Sequence, residues 1–128
     1  MNTSEQDRIY KLNRQLTKAG YNLQGIPDKN YQGIAIHSDS SIVYANPYVC
    51  EIFGYSEDEM PGFNAWLLFS PESGPILMEH IAQRSEEPYQ VLARHKNGKM
   101  FPVTLKGHNF MLEGEELRAV LIRQDKHS

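Results

Sequence analysis

The sequence has one cysteine, one tryptophan and no long hydrophobic run. With Cys50 alone, neither an intrachain disulfide nor a cysteine zinc cluster can form, and a single thiol is typical of a reducing compartment. The longest apolar stretch, residues 65–69, is far too short to cross a bilayer. The N-terminus is polar and contains Glu5 and Asp7, so it is no signal peptide. These absences predict a cytoplasmic protein without a membrane segment.

An excess of positive charge is also missing. Thirteen Lys and Arg residues stand against sixteen Asp and Glu residues, which gives a net charge of -3. Non-specific nucleic-acid binding needs a basic surface, so the composition argues against a nucleic-acid partner. The 128 residues suffice for one domain, and 40% hydrophobic and 23% charged residues are typical of a globular one.

Motifs for catalysis and metal binding are absent as well. The chain has no nucleophile elbow, no phosphate-binding loop and no dinucleotide fingerprint, and its histidines lack metal-ligand spacing. Acidic runs such as residues 57–59 are typical of helix caps and solvated turns. The sequence therefore predicts neither an enzyme nor a metal site.

Residues 1–24 are predicted to form an N-terminal flanking helix, because Ile9, Leu12 and Leu16 recur at helical spacing among polar residues. Gly20 is a plausible end of this helix. The apolar stripe is narrow and leaves three alternatives: it covers the domain's own sheet, it pairs with a copy of itself, or the terminus is disordered. The second alternative predicts a dimer interface through Ile9, Leu12 and Leu16.

After a linker loop over residues 25–30, short β runs and short helices alternate. Two β runs come first, then several short helices, of which the first begins at Asn46 and its following proline. Three longer β runs end the chain, and Asn97 with the next glycine predicts a type I′ hairpin turn. The last run, residues 117–124, is apolar on both faces, so its outer face must be covered. This order predicts an α+β fold with a five-stranded antiparallel sheet, short helices on one face and a flanking N-terminal helix.

Six segments carry a family resemblance through their order and spacing: residues 42–47, 53–62, 70–73, 87–91, 94–103 and 120–125. With these segments the chain resembles the PAS (Per-Arnt-Sim) domain family, of the bacterial signal-transduction type, over residues 31–125. The resemblance implies the PAS fold, whose sheet and small helices enclose a pocket. It also implies a sensory module that binds a small molecule, dimerises, or does both, and so controls an effector such as a histidine kinase or a cyclic-dinucleotide enzyme.

The predicted pocket consists of residues that alternate toward the interior of such a fold. They are Ile36, Tyr44, Asn46, Val49, Ile52, Phe53, Trp66, Leu67, Leu77, Ile81, Val91, Val103, Leu105 and Leu121. A ligand site of this type is mostly apolar with a few polar groups. The same residues at the same spacing also fill an ordinary core. A ligand-free module that only holds two chains together is therefore the alternative.

No cofactor is required by the sequence, and the resemblance implies two alternatives. Light-sensing members of the family carry a reactive cysteine next to a flavin, and Ala65 stands at that position here. Haem-binding members use a histidine on the long helix, which would be His80, although its neighbours place it at the edge of that helix. The signal is expected to leave through the last strand near Arg123 and Asp125, or through the N-terminal helix. The expected partners are a second copy of the chain and an effector domain or signalling protein.

Overall fold

Helices and strands follow the predicted order in the computed structural model, which describes residues 3–126. The helices are α1 (Thr3–Lys18), α2 (Pro47–Phe53) and α3 (Gly74–Ala82), and single 3₁₀ turns span Ala65–Leu68 and Pro71–Ser73. The strands are β1 (Gly33–Ser38), β2 (Ser41–Ala45), β3 (Tyr89–Arg94), β4 (Met100–Leu112) and β5 (Glu115–Gln124). Among the helices of this part of the chain, none is long and apolar enough to span a membrane.

The five strands form one antiparallel sheet in the order β2-β1-β5-β4-β3. The last strand in the sequence, β5, therefore lies in the middle of the sheet, between β1 and β4. Helices α2 and α3 and the 3₁₀ turns pack on one face, which we call the inner face, and α1 packs on the opposite, outer face. The predicted α+β class and five-stranded antiparallel sheet are confirmed.

Helix α1 buries the outer face of the sheet. Leu12 and Leu16 are 1% and 0% exposed, whereas Ile9 is only partly buried. The buried cluster that they join, here called the outer core, also contains Tyr21, Leu23, Tyr31, Ile34, Ile36, Leu112, Leu117, Ala119 and Leu121. The structure thus shows the first of the three alternatives for this helix. Leu12 and Leu16 are covered by the domain's own sheet, which contradicts their prediction as dimer contacts.

The predicted helix over residues 1–24 is too long, because α1 ends at Lys18. Gly20 adopts a φ of 91°, and the chain turns back so that the amide of Tyr21 donates to the carbonyl of Leu16 at 2.9 Å. Glycine reaches this left-handed conformation without steric cost, which explains why the helix stops here. The residues that follow extend the outer core through Tyr21 and Leu23 instead of the helix.

Three predicted pocket residues lie on the outer face and not on the inner face. Ile36 of β1 and Leu121 of β5 belong to the outer core, and Tyr44 packs against it. The residues that face inward are their neighbours, including Ala35 and Ile122. Side chains alternate along a strand except where a bulge interrupts it, as between β1 and β2, and both sets of residues in these strands are apolar. The sequence pattern therefore did not indicate which set faces inward.

The hairpin between β3 and β4 turns at the predicted place but by a different geometry. The amide of Gly98 donates to the carbonyl of His95 at 2.8 Å, and Gly98 has a φ of 91°. Among the described residues, Asn97 is not one of those with positive φ, which a type I′ turn would require. The loop matches the three-residue hairpin connection, in which a type I turn is followed by one residue in the left-handed conformation, here Gly98.

Candidate functional site

A small cavity lies between the inner face of the sheet and the helical segments above it. Its volume is about 50 Å³. A water molecule needs only about 10–15 Å³ by this measure, so the cavity has room for a group of a few heavy atoms. Its wall is mainly apolar and is formed by Ala35, Ile42, Ala65, Trp66, Leu68, Phe69, Leu77, Ile81, Tyr89, Leu105, Val120 and Ile122.

The predicted pocket residues divide between the cavity wall and its surroundings. Those that line the cavity are Trp66, Leu77, Ile81 and Leu105. Leu67, in the same 3₁₀ turn as Trp66, is 56% exposed and does not line it. The other predicted apolar residues on the inner face of the sheet belong to the hydrophobic cluster around the cavity or pack against it. This cluster is here called the inner core, and these residues are Val49, Ile52, Phe53, Val91 and Val103.

Asn46 was predicted in the pocket but holds the backbone together instead. Its side chain is buried, and its Oδ1 accepts hydrogen bonds from the amides of Val49 at 3.1 Å and Ile34 at 3.3 Å. Its Nδ2 donates to the carbonyl of Gln32 at 3.0 Å. One side chain therefore caps α2 and fixes the start of β1 at the same time.

Sequence reasoning missed the polar end of the cavity, which is formed by His37, Asp39, Ser40 and Arg118. His37 of β1 and Arg118 of β5 are direct partners in the sheet register, and both side chains face inward. The available signal was Arg118 itself, a charged residue within an apolar strand. Such residues are almost never fully buried unless they have a partner.

The guanidinium of Arg118 is held inside the domain by neutral oxygens. The residue is 3% exposed. Its Nη1 donates to Oδ1 of Asn109 at 2.6 Å and its Nη2 donates to the carbonyl of Ser85 at 2.8 Å. Among residues 3–126, no hydrogen-bond partner is found for its Nε. Gly107 of β4 leaves the space that the guanidinium occupies, because a Cβ at that position would overlap its Nη2 and Cζ atoms.

Burial controls the protonation of the groups around Arg118. Burial lowers the pKa of the Arg118 guanidinium, while Tyr89 and Glu86 oppose that shift. Burial also lowers the pKa of His37, and the charge of Arg118 adds to this effect. Burial raises the pKa of the Tyr89 phenol. Near neutral pH this end of the cavity therefore combines a charged guanidinium with a neutral imidazole and a neutral phenol.

The lowered pKa of His37 predicts a loss of stability in acid. An unfolded histidine titrates near pH 6.5, so below this pH the unfolded chain binds a proton that the folded state resists, and the free energy of unfolding falls until the folded pKa is reached. We expect urea denaturation to show this decrease between pH 7.5 and 5.5, and a smaller decrease in His37→Gln. An equal decrease in both proteins would contradict the prediction.

The predicted signalling residues lie at the end of β5. The carboxylate of Asp125 accepts hydrogen bonds from Oγ1 of Thr104 at 3.1 and 2.8 Å, and its amide donates to the carbonyl of Pro102 at 2.9 Å. Nε of Arg123 lies 3.4 Å from that carboxylate, and its guanidinium carbon lies 5.3 Å from the centre of the Tyr31 ring. The end of β5 is thus anchored to β4 and is in contact with the outer core.

The site does not fit haem or flavin. His80 does not line the cavity, and its ring stacks on that of Tyr89 with 3.7 Å between centroids. Pockets for ligands of this size measure about 300–1,000 Å³, far above the 50 Å³ found here. In the described part of the chain, no group of three His, Cys, Asp or Glu side chains is placed to hold a metal ion.

Comparison with known families decides the identity of this fold. The family model described as "PAS domain" matches residues 32–125. The chain belongs to the PAS domain family. PAS domains are sensory modules, and the matched range contains the whole sheet, the cavity and Arg118 but not α1. A search of curated proteins finds none that matches.

Solved structures with the same fold include domains from signalling proteins. The PAS domain of a two-component sensor histidine kinase aligns with a TM-score of 0.65 and 17% identity over 73% of this chain and 84% of its own. The N-terminal domain of a diguanylate cyclase with PAS/PAC sensor from Marinobacter aquaeolei gives 0.57 and 14% over 72% and 93%. A light-oxygen-voltage domain studied with a flavin analogue gives 0.63 and 17% over 73% and 77%. At these identities the similarity shows the fold alone.

Proposed function

We propose that this PAS domain senses a small molecule in its core cavity and transmits the bound state to an effector. The observation that supports the proposal best is the cavity itself, whose wall is mainly apolar and also includes polar residues around Arg118. This combination of an apolar wall and a few oriented polar groups is the usual construction of a small-molecule site. The effector is of the histidine kinase or cyclic-dinucleotide class, in keeping with the proteins that carry similar domains.

The central strand β5 offers a route from the cavity to both ends of the domain. Val120 and Ile122 line the cavity, while Leu121, between them, packs in the outer core with α1. Suppose that the domain has two conformations that differ in the position of β5. A ligand that binds one of these conformations more tightly than the other then changes the contacts of α1 and of Asp125. We propose these two places as the outputs of the domain.

A ligand-free interaction module is the second candidate, and the cavity volume favours it. A cavity of about 50 Å³ is well below the volume of most ligand sites. In this reading the inner core is packed shut, and the domain only holds a partner or a second copy of the chain. Because Leu12 and Leu16 are buried and Ile9 lies on the same face of α1, a dimer would use the outward face of α1, which carries the exposed Tyr10.

Native mass spectrometry beside denaturing mass spectrometry separates these candidates. For a sensor of small molecules, we expect the freshly purified protein to carry an extra mass per protomer that disappears on denaturation. The same native spectrum reports whether the chain is a monomer or a dimer. Protein without extra mass, in which no small molecule raises the melting temperature, would instead support the interaction module.

A variant that narrows the cavity makes this test specific. Ala35 lines the cavity, so Ala35→Val places two more carbon atoms in or beside it. Ala19→Val is the matched control, because Ala19 is exposed just after α1. We expect Ala35→Val to lose the extra mass and Ala19→Val to keep it. Retention of the same mass by both variants would place the ligand elsewhere.

No enzymatic activity is part of this proposal, and the chain is proposed to work in the cytoplasm. The first point is supported by the absence of catalytic motifs from the sequence and by membership of a sensory family. The second is supported by the single cysteine, which is buried on α2.

A further inference from the structure

In the described part of the chain, Arg118 is a buried charge that forms no ion pair with a carboxylate. Burying an ionised group is costly unless it is paired with an opposite charge and hydrogen-bonded. Within residues 3–126, the hydrogen-bond partners of Arg118 are an amide oxygen, a backbone carbonyl and the Tyr89 phenol, and its Nε is left without a partner. A surface-exposed arginine would need no explanation, but this residue is 3% exposed and lines the cavity.

The nearby carboxylates are engaged elsewhere or exposed. Glu86 interacts with Nδ1 of His108 at 3.2 Å. Glu116 forms two hydrogen bonds of 2.8 Å with Arg84. Asp39 lines the polar end of the cavity, but its residue is exposed to solvent and forms no ion pair with Arg118 among the described residues. Glu86 therefore stabilises the positive charge of Arg118 only through space, and no carboxylate among the described residues forms an ion pair with it.

Tyr89 suits an anion beside Arg118. It also lines the cavity, and burial raises its pKa, so its hydroxyl keeps a proton that it can donate while its oxygen accepts from Arg118. His37 is the register partner of Arg118 and is neutral near pH 7, but its ring N–H donates to the carbonyl of Asp39 and is not available to an anion. A carboxylate is the anion whose planar pair of oxygens best matches a guanidinium. The apolar part of the wall includes Phe69, Leu77 and Leu105, which suit an alkyl group.

We infer that Arg118 binds the carboxylate of a small aliphatic acid whose short alkyl chain enters the apolar cavity. This inference rests on the proposed sensing of a small molecule in the core and names its chemical class. The cavity volume of about 50 Å³ limits the acid to a few carbon atoms. A second, open depression of about 220 Å³ shares His37, Asp39, Ile81 and Arg118 with the cavity, and we expect the acid to enter from this side.

Titration of the full chain with sodium acetate, propionate and butyrate tests the inference, at constant ionic strength set with sodium chloride. Binding is measured by calorimetry and by the rise of the melting temperature. Propionamide is the matched neutral probe, because it has the shape of propionate without its charge. We expect saturable binding of at least one acid, and binding of its amide at least tenfold weaker.

Variants identify the binding group. Arg118→Met replaces the guanidinium by a neutral side chain of similar length, and we expect it to lower the affinity for the acid at least tenfold. Arg123→Met is the control, because Arg123 lies on the same strand with a side chain that is 42% exposed, and it should bind as the wild type does. Gly107→Ala adds a methyl group where the guanidinium lies, so it should weaken binding while Arg118 is retained.

The outcomes separate this inference from the proposed function. Equal binding of propionate and propionamide, or unchanged binding by Arg118→Met, would overturn the carboxylate assignment while a core ligand site stands. If no acid binds but the native mass spectrum shows a retained uncharged molecule, the carboxylate assignment is also overturned and the core ligand site stands. The absence of binding by acid and amide, with no retained mass, would remove both proposals. If Arg118→Met does not fold, the wild-type comparison of acid and amide still decides.

Discussion

Truncation of Leu16 to alanine should lower the free energy of unfolding by about 2–5 kcal/mol. Leu16 is fully buried in the outer core between α1 and the sheet. Its truncation leaves a cavity between α1 and the sheet, in addition to the loss of buried apolar surface. Urea denaturation followed by circular dichroism measures this change.

Tyr10→Ala is the control for this experiment. Tyr10 lies on the same helix but is 61% exposed, so its truncation should change the unfolding free energy by less than about 0.5 kcal/mol. Similar losses of unfolding free energy in Leu16→Ala and Tyr10→Ala would mean that a second chain buries the side of α1 that points away from the sheet. A negligible loss in Leu16→Ala would mean that α1 does not pack on the sheet in solution.

Replacement of Asn46 by alanine should be the second large effect. The helix cap of α2 contributes about 0.5–2 kcal/mol. In addition, the buried amide of Ile34 and the carbonyl of Gln32 lose their partner, and a buried polar group left unpaired costs about 1–3 kcal/mol. The total loss in thermal or urea unfolding should therefore exceed that of an ordinary cap.

Asn64→Ala provides the matched control for Asn46→Ala. Asn64 also caps a helical segment, since its Oδ1 accepts a hydrogen bond from the amide of Trp66 at 3.0 Å, but it is exposed to solvent. Water replaces this lost interaction, so we expect a loss of about 0.5–1 kcal/mol. If the two variants lose equal stability, the buried contacts of Asn46 contribute nothing beyond capping.

The order of the elements was predictable because it depends on local residues. Asn46 with a following proline began α2, and Gly54, with a φ of 85°, ended it. Asn97 and Gly98 turned the chain between β3 and β4. The end of α1 was placed too late because the interpretation extended the helix past Gly20, although glycine at that position is a helix-ending signal.

The composition of the site was predictable only in part. The apolar wall of the cavity was predictable, because side chains such as Leu77 and Leu105 point toward the interior wherever short helices cover one face of a sheet. Ile36 and Leu121 were assigned to the wrong face, because an apolar pattern on both sides of a strand contains no information about which side meets α1. The polar end was missed, since it requires β1 and β5 to be neighbours although 77 residues separate Ser38 from Glu115.

The sequence by itself determined the class of the fold, the family and the order of the elements, because turns, caps and alternation act over a few residues. Only the tertiary structure decided that α1 covers the domain's own sheet and that the cavity is small. It also decided that Arg118 lies buried beside His37 with an unpaired nitrogen. These features depend on the register between strands that are distant in the sequence, and that register is set by packing on both faces of β5.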